Sequence, residues 1–272
     1  MPRTHPPTLI TLARAALRDG ALVPRGARVL VAVSGGPDSV ATLHVLALLR
    51  SRFAFGLFAH GVDHGLRPDA GAELDLAERF ARSLEVPFSR SRVSVEPGPN
   101  LQARARSVRW EALRAAAARA GADRIATGHH ADDRAETVLI RLLRGTGTRG
   151  LGVLPPRDGD RIRPIYRARR SDVQAHIARH HLPFASDPSN LDPRFLRTRV
   201  RHDVLPTLEK LGPRIIEHLC RLADEASALR VGSSMPGLPT FRPFRPGEGL
   251  REPPGRLPEV DVPKASRARG KT

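Results

Sequence analysis

Ser34-Gly35-Gly36-Pro37-Asp38-Ser39 brings two hydroxyls, two glycines and one carboxylate together within six residues. Glycines let a backbone come close to an anion, and the free N–H groups at a helix start point at one. Ser34 and Ser39 add hydroxyl donors. Asp38 would repel a phosphate, and it makes sense there if Mg²⁺ lies between the carboxylate and the phosphate. The loop is not a Walker A loop, which needs Gly-Lys-Ser/Thr after its second glycine. The competing reading is a tight strand-to-helix turn built from small residues.

A second polar cluster is Gly128-His129-His130-Ala131-Asp132-Asp133-Arg134-Ala135-Glu136-Thr137. Asp133 and Glu136 are spaced i, i+3, so their carboxylates share a helical face. Facing a phosphate loop, two acids at a helix start suit metal ligation or substrate handling. Acids in a first turn also suit the helix dipole. The two histidines fit no standard zinc spacing. Arginines form the third group. Arg106 and Arg109 share a helix face and can meet phosphates or solvent. Arg144 and Arg149 flank the glycines of 144–151, a basic loop suited to backbone phosphates. Arg197, Arg199 and Arg201 alternate around a helix start and cannot all serve one ligand. Arg199 is assigned to the active site, Arg197 and Arg201 to RNA or solvent.

These groups need strand ends and helix starts to position them. Residues 29–33 are aliphatic throughout, as in a strand buried on both faces of a parallel sheet. A helix follows over 40–49. Further strands are expected at 53–59, 86–95, 123–127 and 161–165, with helices at 8–19, 69–85, 100–120 and 138–143. Ser171 is read as the cap of another helix, to residue 180. Two more helical segments fill 204–230, divided by Gly212-Pro213. Asn100 suits the N-cap of the long helix, and Gly20 and Gly121 suit helix stops. In a parallel sheet, ligands sit at the carboxyl ends of strands. That rule puts the Ser34 loop, residues 60–67 and the His129 cluster on one rim. Residues 1–7 are read as frayed. Residues 233–272, rich in Pro, Gly and Arg, have the composition of a poorly ordered tail.

The Ser34 loop resembles the SGGxDS loop of the N-type ATP pyrophosphatases, which split ATP into AMP and pyrophosphate. Several strings resemble, in order, those of bacterial tRNA(Ile)-lysidine synthetases. They are His60-Gly61-Val62-Asp63-His64-Gly65-Leu66-Arg67 with a glycine after its first histidine, and Gln102 to Trp110 with glutamine and tryptophan replacing an acid and a tyrosine. The family's TGHHADDxAET matches 127–137, RGTGxxGL matches 144–151, and DPSNxDxxFxRNRIR matches 187–201 with Thr198 for an asparagine. The resemblance covers about residues 28–230. It implies a doubly wound α/β domain with a five-stranded parallel sheet over 1–193, a helical appendage over 194–231 and a tail over 232–272. It further implies ATP and Mg²⁺ as cofactors, and free L-lysine and a CAU-bearing tRNA(Ile) as substrates. The wobble cytidine is adenylated at O2, and the lysine amine then displaces AMP. In this reading Asp38, Asp133, Glu136 and Arg199 are catalytic. Ser34, Gly35, Gly36, Pro37, Asp38, Ser39, His60 and His129 bind ATP, Mg²⁺ sits at Asp38, and Arg106, Arg109, Arg144, Arg149, Arg197 and Arg201 meet RNA.

Composition narrows the rivals. The net charge is +17 and the pI about 11.6, which favours a polyanionic partner. Only Lys210, Lys264 and Lys271 are lysines, so the excess is arginine. The single cysteine, Cys220, excludes a disulfide within the chain and suits a cytoplasmic protein. It also argues against a tRNA cytidine thiolase on the same fold, whose chemistry relies on several cysteines. A non-catalytic RNA-binding relative would show erosion of Ser34, Asp38, Asp133 or Glu136, all of which are present. A small-molecule synthetase would not need this charge. No apolar run is long enough for a membrane span and no signal peptide is visible. A homodimer stays open.

Overall fold

A computed structural model describes residues 7–19, 22–63, 65, 70–94, 98, 101–185, 192 and 194–232. Contacts divide the chain after residue 239, and every described residue lies in the first unit. His64, Arg67, Asn100, Gly20, residues 1–6 and the 233–272 tail lie outside the described residues.

Strand β1 (Arg28–Ala32) is the centre of the molecule. Val29, Val31 and Val33 join one core cluster, Leu30 and Ala32 another. The unbroken aliphatic run therefore supplies both faces of the sheet, through the two-residue alternation of a strand. β1 pairs in parallel with β2 (Gly56–Asp63) on one side and β4 (Arg124–Ala126) on the other. β3 (Phe88–Arg92) adds in parallel to β2, and β6 (Arg161–Ile162) to β4. These are the five parallel strands expected. A sixth, the two-residue β5 (Arg157–Asp158), pairs antiparallel to β6 and gives the order β3-β2-β1-β4-β6-β5.

On one face α1 (Leu9–Asp19), α2 (Pro37–Phe53), α3 (Ala70–Ser83) and α7 (Arg170–His180) enclose the larger core. On the other, α4 (Leu101–Ala120) lays Leu113, Ala116 and Ala117 on Leu30, Ala32 and Ile125. Sequence order reverses between β1 and β4, which is where doubly wound sheets open a ligand crevice.

Several boundaries move. α2 begins at Pro37 and runs to Phe53, four residues past the expected end, and Ala54 closes it in the left-handed conformation (φ 52°). Phe53 is thus helical, and β2 extends instead through His60 to Asp63. Ser171 does not cap α7. That helix starts at Arg170, with Asp172 accepting the Arg169 N–H at 2.8 Å. The basic loop contains one helical turn, α6 (Thr148–Leu151).

The C-terminal helices form one continuous rod followed by a second. α8 (Leu196–Arg199) passes through a π-helical turn, Val200–Val204, into α9 (Leu205–Leu211), and α10 (Ile215–Gly232) follows. The wide turn lies just before Pro206, which has no N–H for the regular ladder. α10 packs on α5 (Ala131–Leu143) through Ile216, Leu219, Ala223 and Ala226 against Ala131, Ala135 and Val138. Among the described residues no helix is long and apolar enough to cross a membrane.

At mid-length α2 is tied to α7 by histidines: His44 Nδ1 lies 2.9 Å from His176 Nε2, and His180 stacks near both rings. Burial, with His180 and His44 nearby, pushes His176 down to about 4. Burial likewise brings His60 down to about 4. Between about pH 6.5 and 4 the unfolded chain therefore binds more protons at these rings than the folded one. Stability is full above the unfolded value and falls as pH drops through that window. A urea-unfolding series from pH 7 to 4 should show a loss on the order of 3 kcal/mol per ring at most. A flat profile would show that these rings charge without penalty.

Candidate active site

The crevice between β1 and β4 holds a cavity of about 450 Å³ lined by Ser34, Asp38, Ser39, Arg106, Arg109, Trp110, Thr127, His129 and Asp133, with apolar patches at Ala32, Ala105 and Leu113. It is the size of an ordinary small-ligand pocket.

The Ser34 loop leaves β1 and turns at Gly35, whose φ of 84° is the left-handed region. A Cβ there would also lie 2.9 Å from the Glu73 carbonyl oxygen on α3. Gly36 then caps α2 without any side-chain hydrogen bond, and Pro37 follows at the first helical turn. Pro37 has no N–H to leave orphaned, so the amides just after it are the free donors. The two serines divide their work. Ser39 is buried; its hydroxyl donates to Gly36 O at 2.8 Å and lies 3.2 Å from Ser34 N as acceptor, which pins the loop. Ser34 is exposed to the crevice, its hydroxyl donating to Ser39 Oγ at 3.3 Å. Across the crevice β4 ends in Thr127 and Gly128. A Cβ on Gly128 would sit 2.6 Å from Asp38 O, so only glycine lets the chain after β4 close on the first turn of α2. Sequence reading passed over this glycine, although its place before the histidines marks a strand end.

His129 lines the cavity with Nδ1 2.8 Å from Thr127 Oγ1. Burial pushes it down to about 4, with Arg163, Arg197 and Arg106 adding to the shift and Asp133 opposing it. It is therefore neutral at pH 7. Beyond it, the first six residues of α5 are all buried, three acids and an arginine among them. Charged residues are rarely so buried without partners, and here the partners are explicit.

Glu136 is completely buried and accepts four hydrogen bonds. Arg170 Nη2 (2.9 Å) and Arg201 Nε (2.7 Å) reach Oε1, and Arg197 Nε (2.9 Å) and Arg201 Nη2 (3.0 Å) reach Oε2. It lies behind the cavity wall, saturated by three guanidinium groups. Asp133 accepts from His130 N at 3.1 Å and Arg197 Nη2 at 3.2 Å and also lines the cavity. Burial opposes its charge, but His130, His129 and Arg197 outweigh that and hold its carboxyl below the usual value. Asp38 goes the other way. Burial pushes it up and the Asp133 charge adds to this, against His130. Two neighbouring carboxyls are thus driven apart in proton affinity, a pattern of reactive sites.

The arginine assignments at α8 reverse. Arg197 and Arg201 are i, i+4 and both turn toward α5, whereas Arg199 points outward, exposed, with no side-chain hydrogen bond or ion pair among the described residues. Arg199 does not line the cavity, and Arg197 and Arg201 are each bonded to Glu136. Arg170, which sequence reading did not single out, completes the cluster. His60 is buried and does not line the cavity. It sits inside the sheet with Nδ1 2.8 Å from Ser89 Oγ and Nε2 2.9 Å from Ser91 Oγ, both on β3. The glycine after it has a packing reason: a Cβ on Gly61 would meet Leu74 Cδ2 at 2.5 Å and Phe88 Cζ at 3.1 Å. Arg106 and Arg109 lie on the cavity wall with no acid partner among the described residues. Burial lowers both, Arg197 adds to the effect at Arg106, and Arg106 adds to it at Arg109. Unneutralised cations beside an anion-binding helix start define an anion site. Trp110 closes the apolar end, its ring covered by the Arg161 guanidinium at 3.8 Å. Arg144 and Arg149 are exposed at the end of α5 and on α6.

A strand order reversing at β1, an uncapped glycine loop and a facing helix start with buried acids define the class: the chain belongs to the PP-loop domain family, whose model matches residues 13–208. Within that class its similarity is to proteins named tRNA(Ile)-lysidine synthase. It is 43% identical over 229 residues to the one from Thermobifida fusca, covering 80% of this chain and 68% of that protein. It is 41% identical to the Symbiobacterium thermophilum protein (76% of this chain, 45% of that one) and 42% to the Aromatoleum aromaticum protein (74% and 48%). The chain spans about half the length of the curated relatives it matches first. Among solved structures it superposes on the U34-tRNA thiolase NcsA from Methanococcus maripaludis, with its [4Fe-4S] cluster, at a TM-score of 0.68. The identity is 19%, covering 81% of this chain and 79% of that one, so the likeness is one of fold.

Proposed function

We propose that this chain uses ATP to activate the wobble cytidine of tRNA(Ile) with a CAU anticodon and joins free L-lysine to it, forming lysidine and releasing AMP and pyrophosphate. The observation that carries the reading is the cavity, with a phosphate loop and two unneutralised arginines on one side and an ionised Asp133 on the other. Such a site suits a triphosphate together with an ammonium.

The α2 amides and the Ser34 hydroxyl bind the phosphates, and Arg106 and Arg109 balance charge on the departing pyrophosphate. The cytidine O2 attacks the α-phosphorus, and the bond to pyrophosphate breaks. The lysine ammonium gives its proton to solvent, and the free amine then forms the C–N bond at C2 as AMP leaves, so a poor oxygen leaving group has been made a good one. Asp133 holds and orients the ammonium; its low proton affinity suits that better than proton removal. Neutral His129 contributes a hydrogen-bonding wall without charge. A base stacks most readily at the Trp110 end.

Mg²⁺ fits as an ion arriving with ATP. Among the described residues no group of three or more acids, histidines or cysteines is arranged to hold a metal. Asp38 and Asp133 each lie within 3.6 Å of one ring nitrogen of His130. One or two carboxylates, with phosphates and water completing the shell, is the usual magnesium arrangement. Bound there, the ion would neutralise phosphate charge. Exposed Arg144 and Arg149 suit backbone phosphates of the RNA, and a single-stranded anticodon loop can present its base splayed out.

The thiolase alternative fares worse. Cys220 Sγ points at Ala131 O at 3.4 Å, and burial pushes the thiol up to about 11, far from a reactive thiolate. Incubation with ATP, Mg²⁺, radiolabelled lysine and CAU-bearing tRNA(Ile) should label the tRNA. No label with folded protein would remove the reading.

A further inference from the structure

Between the two carboxylates that face the cavity lies a buried ring that the mechanism above does not use. His130 has no exposed surface, and neither ring nitrogen has a hydrogen-bond partner. Carboxylates surround it on both sides. Asp132 Oδ2 is 3.6 Å from Nδ1; Asp38 Oδ1 and Asp133 Oδ2 are 3.6 and 3.5 Å from Nε2. A buried imidazole left unbonded is costly, and here it stands a few tenths of an ångström outside bonding distance of three acceptors. Toward each of them it can act only through a ring N–H, which a neutral imidazole carries on one nitrogen at a time.

The supports of this ring are firmer than the ring itself. Asp132 accepts the Arg170 N–H at 2.8 Å and the Arg169 Nε–H at 3.2 Å, and Arg169 in turn bonds Glu209 at 2.6 Å. The start of α7 and the middle of α9 therefore fix Asp132, and Asp132 faces the far side of the ring. On the near side the ring meets Asp38 from α2 and Asp133 from α5. It faces both cavity carboxylates and the buried Asp132 behind them.

We propose that His130 is a positioning residue that fixes Asp38 for Mg²⁺-bound phosphate, with Asp132 and Asp133 holding the ring from either side. The inference rests on the ATP part of the function above but not on the identity of the acceptor. The logic is that of an outer-shell partner: it touches neither phosphate nor substrate but sets the direction of the groups that do. Loss of such partners typically costs 10–100-fold in metal affinity or activity.

The test is ATP binding by the full chain, followed by calorimetry and by the fluorescence of Trp110, the protein's single tryptophan and a cavity residue, at increasing Mg²⁺. His130→Ala should raise the Mg²⁺ concentration for half-maximal ATP binding about tenfold, leave metal-free ATP affinity within about twofold, and be largely rescued in His130→Gln, whose amide can still donate. Asp132→Asn should give part of the same shift alone and add nothing to His130→Ala, because both act through one ring. Should His130→Ala not fold, His130→Gln and Asp132→Asn carry the comparison. Unchanged Mg²⁺ dependence in folded variants, or additive effects of the two sites, would overturn the assignment. A wild-type protein that binds ATP but makes no lysidine would count against the function and leave this test standing; one that binds no ATP would sink both.

Discussion

Asp38→Asn should reduce pyrophosphate release by roughly a thousandfold, the upper part of what removing one electrostatic group from such a site costs, while the melting temperature stays within a degree or two. The two halves of this expectation come from different atoms of one residue. The backbone of Asp38 is structural: its carbonyl accepts the Thr42 hydroxyl at 2.7 Å and lies under Gly128. The side chain is not. It is about 43% exposed, and its ion-pair-range neighbour is His130 at 3.6 Å. Asparagine keeps the backbone and the shape but loses the charge that would bring Mg²⁺ to the phosphates. Release of pyrophosphate from ATP with tRNA(Ile), against thermal unfolding of the same samples, separates the two. Unchanged release would take Asp38 out of the chemistry, and a large fall in melting temperature would make its role structural.

That division also explains what could be read from sequence. The phosphate loop was legible because its information is local. An aliphatic run, two glycines and a helix start within about a dozen residues dictate one turn, and Gly35 meets the positive φ such a turn demands. The β1 run announced burial on both faces. The His129 cluster was legible for the same reason, since a strand end opening onto a buried helix start is written in consecutive residues.

What failed was non-local or hung on a single residue of register. Residues 53–59 look like one apolar strand, but α2 takes Phe53 and a left-handed Ala54 ends it, which moves β2 toward His60. His60 then points into the sheet, where serines on β3, some thirty residues on, hold both its nitrogens. At 197–201 the alternation of arginines suggested one active-site residue flanked by two others. Because α8 begins at Leu196, Arg197 and Arg201 fall on one face and Arg199 on the other. Their partner, Glu136, is more than sixty residues away, and no spacing within either segment announces the pairing. Arg170 was missed for the same reason.

The Glu136 cluster yields the sharpest separation of structure from chemistry. Glu136→Ala should destabilise the protein by about 3–5 kcal/mol, because it leaves Arg170, Arg197 and Arg201 without the buried charge that gathers them. For a unit of this size that is a fall of roughly 10 °C in melting temperature. Glu136→Gln keeps the volume and one acceptor oxygen but not the charge, and turns an NH2 donor toward the arginines, so it should fall between. Asp133→Asn should behave oppositely. Asp133 has the Arg197 and His130 N–H bonds to lose, yet Arg197 keeps Glu136, so stability should drop by only about 1 kcal/mol, while lysine incorporation falls far more. Urea unfolding paired with lysine incorporation at saturating ATP reads both axes. If Glu136→Ala proved as stable as wild type but inactive, the glutamate would be a substrate-handling group and the three arginines would have some other anchor. If Arg199→Ala lost activity while Arg197→Ala did not, the outward face of α8 would be the functional one. The hydrogen bonds argue against that, since Arg197 and Arg201 are the residues that join α8 and its π-turn to the carboxylates of α5 and so set where the cavity wall stands.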